Sequence, residues 1–240
     1  MYGQNQQQHL NLNPDYHNDS FRSMVMKELG IAENIFRTSL VKDKPDSTTF
    51  LIKRVFDVCF SILVLTLLSP VYLLLMLITK LTSKGSLFYM QERIGEGGKP
   101  FNIIKFRSMH VDAEKFGPQL TTNDDPRVTK WGKFMRKTHL DELPQFWNVL
   151  MGDMSIVGPR PERAHYIKQI TSSSPSYGKL LTIKPGITSI GQVSYGYAEN
   201  TQEMCERMEF DLLYLSEINL WTDINIIYQT VVSMFRGHGR

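Results

Sequence analysis

Residues 55–78 read VFDVCFSILVLTLLSPVYLLLMLI. The run is 24 residues long, 19 of them apolar, and that length exceeds the roughly 20 residues needed to cross a hydrocarbon layer of ~30 Å. On length alone a simple spanning helix fits. Two features favour a different path. Ser69-Pro70 interrupts the run, and a proline there removes a backbone donor and crowds the preceding turn, so the helix is expected to kink or break. Each half is then short: Val55 to Leu68 covers 14 residues, about 21 Å at ~1.5 Å per residue. Cations also flank both ends, Lys53 and Arg54 before and Lys80 and Lys84 after, whereas a spanning helix tends to keep its Lys and Arg on the cytoplasmic side. The pattern predicts a re-entrant hairpin that enters and leaves one leaflet, anchored by Lys53, Arg54, Ser69 and Pro70. Freed backbone groups near Ser69 are expected to find its hydroxyl or packed protein. Asp57, costly in lipid, is expected to pair with Lys53 and Arg54 at the interface.

Outward from this segment the chain divides into a polar lead-in and linker over 1–50, the membrane segment over 51–82 and a cytosol-facing region over 83–240. The first twenty residues are polar and carry no secretory signal, so the N-terminus is expected in the cytosol. Residues 21–40 show loosely helical apolar spacing, and Lys42 to Ser47 with Pro45 reads as a linker. Net charge is only +3, from 27 Lys+Arg against 24 Asp+Glu, too weak to argue for nucleic acid. Two cysteines, Cys59 and Cys205, support neither a disulfide framework nor a zinc site. Leu87 to Gln91 and Phe101 to Arg107, punctuated by Gly85, Gly95, Gly97 and Gly98, predict a β-hairpin. Helical spacing returns over Asp112 to Phe116 and Trp131 to Lys137, and another helix is predicted to begin near Asp141. Further on, Met204, Met208, Leu212 and Leu215 recur at helical spacing, as do Trp221, Ile224, Ile227 and Val231. Such stripes read first as core, with a helix lying on the membrane surface as the second reading.

Three clusters are candidates for chemistry, each with a structural alternative. Strand alternation puts Lys105 and Arg107 on one face, either as a charged strand edge or as a pair of phosphate-facing cations. In Thr138 to Gln145, Asp141 reads first as a helix cap; the same geometry also allows an ionised nucleophile or metal ligand, favoured as an anion by a helix N-terminus and by Arg136. In Gly158-Pro159-Arg160-Pro161-Glu162, the prolines restrict the backbone, so the Arg160 fork meets phosphate oxygens with little ordering cost. The turn Asn123-Asp124-Asp125-Pro126-Arg127 serves a metal or phosphate, or is an ordinary Asx turn.

Together these segments resemble the bacterial sugar transferases, the monotopic phosphoglycosyl transferases, from Lys53 to the C-terminus. Lys53-Arg54 with Asp57, Ser69-Pro70, Gln91 to Gly95, Lys105 to Met109, Asp125 to Arg127, Asp141 to Gln145, Asn148 to Leu150, Gly152 to Ser155 and Val157 to Pro161 stand in that family's order. The resemblance implies an α+β, mainly helical monotopic membrane protein: a re-entrant helix broken at Ser-Pro, a small β-hairpin and surface amphipathic helices. It implies a magnesium ion (Mg2+) with Asp141 as ligand, a nucleotide-sugar donor with UDP as the expected nucleotide, a polyprenyl phosphate acceptor, the membrane bilayer as partner, and the cytoplasmic face of a bacterial inner membrane. A homo-oligomer is compatible with it. Asp141 would be the nucleophile that holds the phosphosugar and Glu142 its assistant. Lys105, Arg107, Arg127, Arg136 and Arg160, with Pro159 and Pro161, would bind substrate. The rival readings are a single-displacement glycosyltransferase and a non-catalytic scaffold. Gly196-Tyr197 stands where the family often carries Gly-Arg, and Ser189-Ile190-Gly191 also departs from its pattern, so the sugar is not assigned.

Overall fold

The computed structural model describes residues 47–82, 85–115, 117–122 and 124–235. Most of the predicted lead-in and linker, together with Lys84, Phe116 and Asn123, lies outside the described residues. The apolar run forms two helices, α1 (Ser47–Leu67) and α2 (Ser69–Thr82), bent by 62° at the break. Among the described residues no single helix is long and apolar enough to cross a membrane. The bend falls where Pro70 enters the first turn of α2, a position that tolerates a missing N–H. Leu68 N still donates to Val64 O and Tyr72 N to Leu68 O, each at 2.9 Å, so little backbone is left unpaired there. The expected rescue by the Ser69 hydroxyl is absent among the described residues; the nearby polar bond is the Tyr72 hydroxyl donating to Leu143 O.

Burial in α1 runs opposite to that of a water-soluble helix. Its buried residues are Lys53, Asp57 and Ser61, one stripe at spacing four, while Leu51, Ile52, Val55, Ile62, Leu63 and Leu67 are exposed. The stripe is satisfied by protein: Lys53 Nζ bonds Asp223 Oδ2 at 2.5 Å, and Asp57 Oδ1 accepts the Ile156 amide at 3.1 Å. Arg54 donates to Val149 O at 2.6 Å and Leu150 O at 3.0 Å. Asp57 therefore bonds the Ile156 amide and not the expected cations, because the start of α1 lies against the folded region. In α2, Leu73, Leu74, Leu77 and Leu81 are exposed, whereas Tyr72 and Leu75 cluster with Phe106 and Met135. Trp131 Nε1 donates to Thr79 Oγ1 at 3.1 Å. Both arms of the bent pair thus return to the same folded region.

That region holds an antiparallel hairpin, β1 (Phe88–Ile94) and β2 (Pro100–Phe106), in register from Phe88 opposite Phe106 to Ile94 opposite Pro100. The first strand runs three residues beyond its predicted end. Asp112 to Lys115, predicted helical, forms turns. Helix α3 (Lys130–Lys137) is capped by Thr129, whose side chain accepts the Gly132 amide. A 3-10 turn (Leu140–Glu142) then leads into α4 (Gln145–Met151), which ends on Gly152 at φ 93. A parallel pair invisible to strand periodicity follows: β3 (Ser155–Val157) beside β4 (Gly186–Thr188). A Cβ on Gly158 or on Gly186 would collide with the other's segment, so the two backbones cross where only glycine fits. The remaining helices are α5 (Ala164–Ser173), α6 (Ile190–Ser194), α7 (Thr201–Ser216) and α8 (Leu220–Phe235). Met204, Met208 and Leu215 of α7 are buried as predicted. The stripe of α8 does not face the core: Trp221, Ile224 and Val231 are exposed and Ile227 is half-buried, Tyr228 is exposed beside them, and Thr222, Asp223 and Ile226 face inward.

Candidate active site

Asp141 and Glu142 sit in the 3-10 turn between α3 and α4, preceded by His139 in the left-handed region at φ 55. A non-glycine residue there is a strained backbone that the surroundings must hold in place. Neither carboxylate caps a helix: the N-cap of α4 is Pro144, with no side-chain cap bond, and none is made at His139. The helix-cap reading of Asp141 is thereby set aside. Asn148, fully buried one turn into α4, fixes this segment to the hairpin. It accepts the Ile104 amide at 3.0 Å and donates to Asn102 O at 2.7 Å. With α4 stapled to β2, Lys105 comes to rest on Glu142, Nζ to Oε1 at 2.5 Å. Arg160 approaches the same oxygen at 3.9 Å.

The dyad opens into a cleft of about 230 Å³ lined by eight Arg and Lys side chains and four carboxylates, a balance that suits an anionic ligand. Lys105, Arg107, Arg127, Arg136 and Arg160 all line it, so five of the expected substrate-binding residues are brought together. Pro159 and Pro161 are buried behind it and act through the backbone. Pro159 O accepts the Gly186 amide at 2.9 Å, Pro161 O accepts Arg93 Nη1 at 3.0 Å, and the Arg160 amide donates to Asp211 Oδ2 at 3.3 Å. Arg127 is largely committed: it forks onto Asp125, donates to Gln119 and to Leu120 O, and so ties down the loop over the cleft. The Asx-turn reading of that segment holds, since Asp125 Oδ1 accepts the Arg127 amide at 2.9 Å. Arg136 donates to Thr121 Oγ1 at 3.0 Å, and Arg107 to Ser86 Oγ at 2.7 Å.

The two carboxyls are pushed apart. Burial, then the charge of Glu142, raises Asp141 to about 6, with Lys105 and Arg136 opposing. Burial would raise Glu142 too, but Lys105 and Arg160 hold it well below the ordinary carboxylate range. The expectation that a helix terminus and Arg136 dominate at Asp141 is corrected: Arg136 contributes, yet desolvation wins. Asp141 remains mostly ionised at neutral pH, and desolvated. Burial lowers Lys105, although Glu142 partly restores it.

Sequence reasoning missed several cleft residues. Arg93 and Arg207 both bond Glu162, at 3.4 and 2.5 Å, forming a buried support beside Arg160. For Arg207 the signal was present in the spacing of Glu203, Arg207 and Asp211, charges every fourth residue along an otherwise core-facing helix. Tyr197, by contrast, stands in the stretch already singled out for departing from the family's pattern; it lines the cleft and stacks on His139, ring centroids 6.2 Å apart. Burial and then Glu142 push its hydroxyl up to about 12, so it stays a neutral donor.

Among the described residues no group of three or more His, Cys, Asp or Glu side chains is placed to hold a metal ion. A magnesium site need not have one, since Mg2+ commonly takes one or two carboxylates and fills its shell with substrate phosphates and water. Asp141, without an ion pair among the described residues, fits that share; Glu142 is occupied by Lys105.

A UDP-N-acetylgalactosamine-undecaprenyl-phosphate N-acetylgalactosaminephosphotransferase of Aeromonas hydrophila is 39% identical over 188 residues, covering 78% of this chain and 44% of the relative. A UDP-glucose:undecaprenyl-phosphate glucose-1-phosphate transferase of Escherichia coli is 45% identical over 188 residues, covering 77% and 40%. A transferase of the same name from Caulobacter vibrioides is 39% identical over 186 residues, covering 76% and 69%. The chain spans less than half the length of the first two relatives. The family described as bacterial sugar transferase matches residues 48–237, from the start of the bent helix pair to the end of α8, and this chain belongs to that family.

Proposed function

We infer that the chain moves a sugar 1-phosphate from a UDP-sugar to a polyprenyl phosphate, releasing the nucleoside monophosphate, and so begins the assembly of a polysaccharide or glycoconjugate. The observation that carries this reading is a desolvated, ionisable Asp141 facing a cation-lined cleft, with its neighbour Glu142 locked as an anion by Lys105 and Arg160. Relatives named for glucose 1-phosphate and N-acetylgalactosamine phosphate transfer support the substrate class and leave the sugar open.

Donor and acceptor are both anionic, so phosphate charge must be neutralised before a carboxylate can approach. Arg160 and Arg136 supply that at the cleft wall, and Lys105 is held in place by Glu142. An Asp141 oxygen attacks the phosphorus that bears the sugar. The bond from that phosphorus to the bridging oxygen breaks, and the nucleoside monophosphate leaves with the electron pair. An oxygen of the lipid phosphate then attacks the same phosphorus, the bond to Asp141 breaks, and the carboxylate is restored. Magnesium held by Asp141 and the diphosphate would supply further charge neutralisation.

The membrane reading is supported by α1, whose polar stripe faces protein while its leucines face outward. Both arms return to one folded region, as a re-entrant hairpin requires and a spanning helix does not. The exposed Trp221, Ile224, Tyr228 and Val231 of α8 suit a helix lying at the interface on the cytoplasmic face. The test is product analysis with a panel of UDP-sugars and polyprenyl phosphate. Nucleoside monophosphate together with a lipid-linked diphosphosugar is expected; nucleoside diphosphate would instead identify a transferase that passes only the sugar.

A further inference from the structure

A second cavity, about 540 Å³, lies at the foot of α1, and none of its lining residues lines the catalytic cleft. Phe50, Ile183 and Ile218 give it apolar walls, and Lys53, Arg54 and Lys184 give it cations. Lys53 is spent on Asp223. Arg54 donates to two carbonyls of α4, which leaves further N–H groups of its five. Lys184, among the described residues, has neither an ion pair nor a hydrogen bond. Its Nζ and Arg54 Nη2 both lie 3.6 Å from the position a Cβ on Gly152 would take, so the two cations converge on one point. Ser155, 1% exposed, also lines the cavity, and its hydroxyl is buried without a partner. A buried hydroxyl without a partner is costly unless a ligand or water completes it. Two acids share the lining: Asp57 accepts the Ile156 amide, and Glu96 is exposed in the β1–β2 loop, where water screens its charge.

We propose that this cavity binds the phosphodiester headgroup of a bilayer phospholipid, with Lys184, Arg54 and Ser155 on the phosphate and the start of the acyl chains against Phe50, Ile183 and Ile218. The occupant is an amphiphile because apolar walls and gathered cations share one cavity, and that cavity lies at the N-terminal end of a helix whose opposite face is exposed and apolar. The volume exceeds what an inorganic phosphate fills. The site rests on the membrane reading of the hairpin and is independent of the transfer chemistry.

Native mass spectrometry of the full chain, delipidated in detergent micelles and titrated with phosphatidylglycerol, tests it. The wild type is expected to retain one phosphatidylglycerol per chain, Lys184→Glu to lose at least fivefold of that adduct, Ser155→Ala about two- to threefold, and Asp141→Asn none. Lys184→Met, which removes the charge without reversing it, serves if Lys184→Glu melts early, and nucleoside monophosphate release by either variant in phosphatidylcholine micelles should stay within twofold of wild type. Undiminished phosphatidylglycerol binding by both Lys184 variants would overturn the assignment. Complete displacement by millimolar inorganic phosphate would also overturn it, in favour of a free-anion site, as would displacement by equimolar polyprenyl phosphate, in favour of the acceptor. If the wild type releases no nucleoside monophosphate while the adduct persists, the transfer reading fails and the lipid site stands.

Discussion

Helices α1 and α7 both bury a polar stripe at spacing four, Lys53-Asp57-Ser61 in one and Glu203-Arg207-Asp211 in the other, yet their outward faces differ. Beside its stripe α7 buries Met204, Met208 and Phe210, and leaves Gln202 and Glu209 in water. α1 buries almost nothing apolar and exposes leucine, isoleucine and valine. The difference teaches that a buried polar stripe by itself says only that protein lies on that side. The composition of the opposite face tells whether water or hydrocarbon lies beyond, because exposed apolar area of this extent is unfavourable in water by roughly 25 cal/mol per Å².

The comparison breaks most visibly if the outward face of the hairpin is charged. Leu63→Lys with Leu74→Lys should cost about 5–7 kcal/mol of insertion free energy, at roughly 2.5–3.5 per lysine. In a vesicle flotation assay the variant should leave the floating fraction, whereas Glu209→Lys on α7 should not move it. The inward stripes, by contrast, should respond alike. Asp223→Ala strands Lys53 and Glu162→Gln weakens the hold on Arg207. Removing one partner of a buried pair costs about 3–5 kcal/mol, read as a lower urea midpoint, and the milder Gln change should fall at or below the lower end of that range. If only the α7 side responded, α1 would not be packed on protein as described.

A smaller effect sharpens the site itself. Asp141 titrates at about 6 in the folded chain against an ordinary 3.8, so its carboxyl favours folding below about 4 and loses that contribution as pH rises through 6. In metal-free buffer Asp141→Asn should therefore raise the melting temperature at pH 8, by an amount corresponding to about 1–3 kcal/mol, and leave it unchanged at pH 4. A variant destabilised at pH 8 would mean that the carboxylate is held by favourable partners and is not strained by burial.

Much of this was legible in sequence because it rests on periodicity. The broken apolar run, the β-hairpin and the core stripe of α7 all carry short-range patterns. The cation pair of Lys105 and Arg107 was readable from strand alternation. What escaped was fixed by distant partners. Asp57 meets Ile156 across 99 residues, Lys53 meets Asp223 across 170, and three-residue strands such as β3 and β4 are too brief to show an alternation. The facing of α8 stayed open between two readings because an apolar stripe at helical spacing looks the same whether it faces a core or an interface. The raised pKa of Asp141 escaped because burial is a property of the fold, and the local helix terminus suggested the opposite sign.

The central claim is that Asp141 takes up the phosphosugar. Intact-mass measurement of the protein mixed with its UDP-sugar, without lipid acceptor, addresses it most directly. The account predicts a gain of one sugar phosphate per wild-type chain with stoichiometric release of nucleoside monophosphate, no gain in Asp141→Asn, and turnover of that variant reduced at least about 10³-fold. Wild-type chains that turn over with no such adduct, or an Asp141→Asn protein that keeps its activity, would contradict it.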